Sequence, residues 1–125
     1  MGLHILLVGV GGALGALCRY GITMASSRFL GTQFAWGTFG ANIIGCLFIG
    51  FLFAWSDQRH WLGTSERLFL MTGFLGAMTT FSTYALESIR FIQTGSPGLG
   101  LVNILVHNAV GLTFVLAGIW LGHRV

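Results

Sequence analysis

The chain of 125 residues is 54% hydrophobic and 7% charged, with a mean hydropathy of +0.83. Soluble domains carry roughly 25% charged residues, so a soluble domain is excluded and the chain reads as integral to a membrane, with room for four spans of about 20 apolar residues. All six basic residues are Arg, against three acids, giving a formal net charge of +3 with no basic run, which excludes a nucleic-acid binder.

A first span is expected over about residues 3–24. The N-terminus lacks the positive region of a signal peptide, and its apolar run outlasts a normal h-region, so it is expected to stay attached. Gly11, Gly15 and Arg19 are spaced by four and share a helix face. The two glycines let another backbone approach closely. Arg19 has two readings, a side chain snorkelling from a helix end or a buried structural, anion-attracting charge. Cys18 here and Cys46 in the next span lack metal or disulfide spacing and read as small buried residues.

A short polar link, residues 26–33, leads to a second span over about 36–55 with Trp36 and Trp55 as interfacial anchors. Thr38 and Asn42 lie one turn apart inside it, with Gly45 beyond. A lone amide in hydrocarbon leaves several hydrogen-bonding groups to satisfy, so Asn42 either bonds a neighbouring helix or faces a pore. The next connection, from Ser56 through His60 to Arg67, is the most charged stretch, and Thr64 or Ser65 can cap the helix that follows.

The third span, over about 68–92, carries the most informative stretch. Gly73 and Gly76 precede Thr79-Thr80-Phe81-Ser82-Thr83, four hydroxyls in five residues. Such a cluster either bends the span by bonding back one turn or marks a broken helix at an ion or solute site, since irregular backbone at membrane depth must be buried in protein or line a watery cavity. Glu87 follows Thr83 by one turn, at a cost of roughly 2.5 kcal/mol or more at a span centre. It either pairs with Arg90 or joins Thr83 and Ser82 along a pathway.

Gly95-Ser96-Pro97-Gly98 reads as a turn, and a fourth span is expected over about 101–122. Asn103, His107 and Gly111 fall in one stripe, with Asn108 beside it. No span carries a charge at its midpoint, which argues against a proton-coupled pump. With four spans, Arg19, Arg28 and Arg90 flank one side and Arg59, Arg67 and Arg124 the other. That balance gives no positive-inside preference and suits insertion in both orientations as an antiparallel pair. No HExxH, GxSxG or paired carboxylates are present, so the chain reads as a non-enzyme.

Gly11-Gly12-x-x-Gly15-Ala16-x-x-Arg19-Tyr20, then Gly37-Thr38-x-x-x-Asn42-x-x-Gly45, then Thr72-Gly73-Phe74-Leu75-Gly76-x-x-Thr79-Thr80-Phe81-Ser82-Thr83 and Glu87 resemble the Fluc/CrcB family of bacterial fluoride channels, in order along essentially the whole chain. The resemblance implies an all-α membrane fold with one four-span domain over residues 1–125, its third helix broken at the centre, assembled as an antiparallel dual-topology homodimer in the inner membrane. It implies passive fluoride export through two pores that protect the cell. It also implies a structural sodium ion at the dimer interface, held by the backbone carbonyls of Gly76 and Thr79. The pore residues it implies are Thr38, Asn42, Phe81, Ser82, Thr83, Tyr84, Glu87, Asn103 and His107, with Arg19 in a structural or electrostatic role. Tyr84 stands where a second Phe is usual, Gly111 where a hydroxyl is usual, and Ala77-Met78 where the pair is commonly Gly-Gly or Gly-Leu. A small dual-topology proton-coupled exporter is the rival reading, but it wants an acid in the first span, and none is there.

Overall fold

The computed structural model describes residues 1–59 and 62–125, so His60 of the charged connection lies outside it. The described residues form helix α1 (Gly2–Leu30), α2 (Trp36–Arg59), a short α3 (Thr64–Arg67), a π-helical run (Leu68–Leu75), α4 (Gly76–Met78), α5 (Phe81–Gln93) and α6 (Pro97–Arg124), with no strand among them. Among the described residues, three uninterrupted helices are long and apolar enough to cross a membrane, Gly2–Leu30, Trp36–Gln58 and Pro97–Arg124. Residues 64–93 make a fourth run, interrupted near its middle.

Several helix ends differ from the sequence expectation. Helix α1 continues through the expected polar link because Ser27 Oγ donates back to Thr23 O at 2.8 Å, so the hydroxyl serves the helix rather than ending it. The turn comes at Gly31, whose φ is +80°. Neither Thr64 nor Ser65 caps α3; Gly63 occupies the N-cap without a side-chain bond. Helix α6 begins four residues before the expected span, with Pro97 in its first turn, where a missing N–H costs nothing.

Glycines set how closely the helices pack. A Cβ on Gly11 would meet Phe69 O, and one on Gly15 would meet Phe74 O. The two carbonyls are five residues apart, one i→i+5 step of the π-helix, and so match two glycines one α-turn apart. The small face of α1 is therefore filled from within the subunit, by the π-helical run, and is not free for another chain. On the other side α2 lies along α6, where Gly118 meets Leu47 O and a Cβ on Gly122 would lie 2.6 Å from Phe51 O. The buried stripe of α6 comprises Gly100, Asn103, His107, Gly111, Gly118 and Gly122. It carries Asn103 and His107 inward, against α2 and α5, while Asn108 and Thr113 stay exposed.

Candidate functional site

The third span breaks at two residues. Thr79 (φ −84°, ψ 156°) and Thr80 (φ −152°, ψ 116°) are extended, with helix on both sides. Asn42, reaching across from α2, holds the break. Its Oδ1 accepts from Thr80 N at 2.7 Å and its Nδ2 donates to Thr80 O at 3.1 Å. Both backbone groups of one extended residue are thus satisfied by a single amide, as buried backbone requires.

The bond to Asn42 has a consequence one turn back. In a continuous helix Thr80 N–H would serve Gly76 O, and Thr83 N–H would serve Thr79 O. Here Thr80 N–H is taken by Asn42 and Thr83 N–H by Thr80 Oγ1 at 3.3 Å. The carbonyls of Gly76 and Thr79 are released from helical bonding, and Gly76 is exposed on the chain's surface.

Thr80 also gathers the hydroxyls. Its Oγ1 donates to Thr83 Oγ1 at 3.0 Å and lies 3.4 Å from Ser82 Oγ. Glu87 does not join that group. Its Oε1 accepts from the buried Thr38 hydroxyl at 2.8 Å, because α2 brings Thr38 opposite it. The Arg90 guanidinium makes no hydrogen bond with Glu87 or any other group among the described residues.

A second polar chain runs between α5 and α6. Ser88 Oγ donates to Tyr84 O at 2.8 Å and accepts from Asn103 Nδ2 at 2.8 Å. Asn103 is fully buried. His107 Nδ1 is 3.0 Å from Asn103 O. A carbonyl oxygen can only accept, so Nδ1 carries the proton. Glu87 Oε2, Asn103 Oδ1 and, opposite that proton, His107 Nε2 are buried without a hydrogen-bond partner among the described residues. With a neutral imidazole all three present lone pairs, so a water or hydroxyl, not a bare anion, is their complement.

The aromatic residues continue the row. Phe81 and Tyr84, one turn apart at the start of α5, meet edge-on with ring centroids 5.4 Å apart. Tyr84 lies 4.6 Å from the His107 ring, and Phe39 meets that ring edge-on at 5.2 Å. Tyr84 Oη accepts from Asn108 Nδ2 at 3.0 Å. A cavity of about 370 Å³ is lined by Asn42, Gly76, Thr79, Phe81, Tyr84 and His107 among others. Phe81 is nonetheless 79% exposed on the chain alone.

Of the residues expected from the sequence, this cavity gathers those six. Thr38 and Glu87 line a second cavity of about 360 Å³ at one end of the bundle. Ser82, Thr83 and Asn103 line neither, and half-buried Arg19 makes no side-chain hydrogen bond among the described residues. Gly111 is buried, and a Cβ there would lie 3.5 Å from Cys46 Sγ. Sequence reasoning missed Thr80 as the organiser of the hydroxyls, Ser88 as the link to Asn103, and Asn108 as the partner of Tyr84. Ser88 was within reach, since Thr80, Tyr84 and Ser88 recur every four residues.

Membrane-length apolar helices, an interrupted helix at their side and a buried polar row define a multi-pass helical membrane protein. Its family is equally plain. Residues 6–119 match the model of the CrcB-like protein, Camphor Resistance (CrcB), family, and the chain belongs to that family. A protein of Salinibacter ruber named fluoride-specific ion channel FluC is 42% identical over 93% of this chain and 86% of its own length. Proteins of the same name from Maridesulfovibrio salexigens, 39% identical over 96% of this chain and 95% of their own, and Clostridium perfringens, 41% identical over 90% and 88%, are similar to it as well.

Proposed function

We propose that the chain is a fluoride-selective channel that passes fluoride passively out of a bacterial cell across the inner membrane, lowering its cytoplasmic toxicity. The observation that carries this reading is the broken span. Extended backbone at Thr79 and Thr80, pinned by Asn42, sets the second N–H of that amide and the Tyr84 O–H, neither spent on another group among the described residues, beside one cavity with two ring edges. A small, strongly hydrated anion is met by such donors and by the positive edges of aromatic rings. The chemistry of the row and the name borne by the relatives point the same way.

Irregular backbone at membrane depth needs cover, and Gly76 and Phe81 are exposed on the chain alone. We assign that cover to a second copy. The chain is then a four-span subunit of an antiparallel, dual-topology homodimer with two pores, the interrupted run 64–93 supplying the third span. Among the described residues no cluster of His, Cys, Asp or Glu could hold a metal ion, so a cation here would rest on backbone oxygen. The released carbonyls of Gly76 and Thr79 suit sodium, a hard monovalent cation. Bound there, sodium supplies positive charge that joins the two subunits.

Fluoride-loaded proteoliposomes test the reading. An electrode should record efflux once a potassium gradient and ionophore relieve the charge build-up. Efflux that depends strictly on a proton gradient would instead favour a coupled exporter.

A further inference from the structure

We infer that the second cavity is a capture site for a small inorganic anion, with the Arg90 guanidinium as its attractor; the inference rests on the fluoride-channel reading. The cavity, of about 360 Å³, lies where the C-terminal ends of α1 and α5 meet the start of α2, and its lining includes Thr23, Ser27, Thr38, Glu87, Arg90 and Thr94. The lining hydroxyls suggest an anion-friendly wall, but four of the five have their hydrogens already used. Thr23 Oγ1 donates to Arg19 O at 3.0 Å, Ser27 Oγ to Thr23 O at 2.8 Å, and Thr94 Oγ1 to Arg90 O at 2.8 Å. Thr38 Oγ1 donates to Glu87 Oε1 at 2.8 Å.

Each of these hydroxyls therefore turns lone pairs to the cavity. A carboxylate stands among them, with one oxygen unpartnered. Without Arg90 the wall would suit a cation and repel an anion. Among the described residues Arg90 is the cationic group in the lining. A guanidinium carries five N–H donors, and among the described residues none is hydrogen-bonded. The Trp36 indole N–H and the Thr32 hydroxyl, also in the lining and likewise unbonded, add neutral donors. Arg90 thus offsets the carboxylate's charge and supplies the charged donors an anion needs.

The test compares wild type with Arg90→Gln, Arg90→Lys and Arg28→Gln. Arg28 is a control that removes one charge at the same end of the molecule; it lies over the Phe29 ring at 5.9 Å and outside the cavity lining. Initial fluoride efflux is measured at sub-saturating fluoride, at about 10 mM and about 1 M ionic strength, where the Debye length is about 30 Å and 3 Å. Arg90→Gln should lose roughly three- to tenfold at low ionic strength, on the scale of local field focusing, and less than about twofold at high. Arg90→Lys and Arg28→Gln should stay near wild type at both.

An unchanged Arg90→Gln flux overturns the inference. An equal loss at both ionic strengths assigns Arg90 to packing, and an equal loss in Arg28→Gln assigns the effect to diffuse charge. A second readout does not need conduction. In a chain whose Trp55, Trp61 and Trp120 are replaced by Phe, iodide should quench Trp36 more strongly than in the same chain carrying Arg90→Gln, while acrylamide quenches both alike. If wild type passes no fluoride but iodide quenching follows Arg90, the channel reading fails and the anion site stands. If iodide ignores Arg90, the site itself is wrong.

Discussion

Asn42→Ala is the most demanding test of the broken span. The substitution removes two hydrogen bonds, at 2.7 Å and 3.1 Å, and strips both backbone groups of Thr80 of their partner. An orphaned buried group costs about 1–3 kcal/mol, so two cost roughly 2–6. Part of this is recoverable, since Thr80 N–H can fall back on Gly76 O if the helix closes over the break. The net destabilisation expected is therefore about 2–4 kcal/mol, a fall in midpoint on the order of 10 °C. Closure also recaptures the Gly76 carbonyl, so any stabilisation by sodium should vanish together with fluoride flux. The assay is thermal unfolding in detergent, in sodium and in a bulky organic cation, paired with efflux from liposomes. A cation held at about a hundredfold over its dissociation constant stabilises by about 2.7 kcal/mol, and only the native side chain should show that difference. If Asn42→Ala unfolds like wild type and keeps its sodium response, the amide does not hold the break and the account of the released carbonyls is wrong.

Phe81→Ile keeps apolar bulk but removes the ring edge set 5.4 Å from Tyr84; flux should collapse while size exclusion still reports the wild-type oligomer, and normal conduction would reduce Phe81 to packing. Tyr84→Phe loses the 3.0 Å bond from Asn108, worth about 1 kcal/mol, and flux should persist; its abolition would make the hydroxyl an ion ligand. Gly15→Val sets a side chain against Phe74 O with Met78 N at 3.1 Å. Backbone cannot yield as a flexible side chain can, so a loss of about 3 kcal/mol is expected in unfolding, and a change within 1 kcal/mol would contradict the packing. A cysteine at the C-terminus of a chain lacking Cys18 and Cys46 should be labelled from both sides of intact cells, and a single accessible side would rule out dual topology.

Much of the fold was legible because hydrophobicity in a membrane chain is a direct reading of location. The site of the break was legible for a similar reason. Four hydroxyls beside Gly73 and Gly76 marked either a bend or a break there, and both occur, since Thr79 Oγ1 bonds back to Leu75 O at 3.0 Å just where the helix ends. What holds the break was not legible, because Asn42 is 38 residues from Thr80 and only helix packing joins them. The partner of Glu87 was hidden in the same way. Thr83 and Arg90 lie on its own helix, yet Thr38 arrives from α2. The π-helical run carries no proline or other local signal; its register follows from the glycines it meets on α1. The early end assigned to α1 reflects a local ambiguity, since Ser26-Ser27-Arg28 suits a solvated link as well as a helix end.

The break separates groups that a continuous helix would cancel against each other. A helix pairs each carbonyl with the N–H four residues on, leaving little field at its middle. Ending one helix at Met78 and starting another at Phe81 brings a carbonyl end and an amide end together at mid-span. The first is partially negative and the second partially positive. Opposite ions can then be served from adjacent turns without a charged side chain in the break. The side chain needed is one that accepts from Thr80 N–H and donates to Thr80 O at once. An ionised Asp at residue 42 could only accept and Leu could do neither, Ser could do both but with one atom on a shorter stem, and Gln would have to fold a longer stem into the same gap. The requirement ties the two sides of the break together, because the amide that frees the carbonyls also fixes Thr80, on whose hydroxyl Ser82 and Thr83 converge.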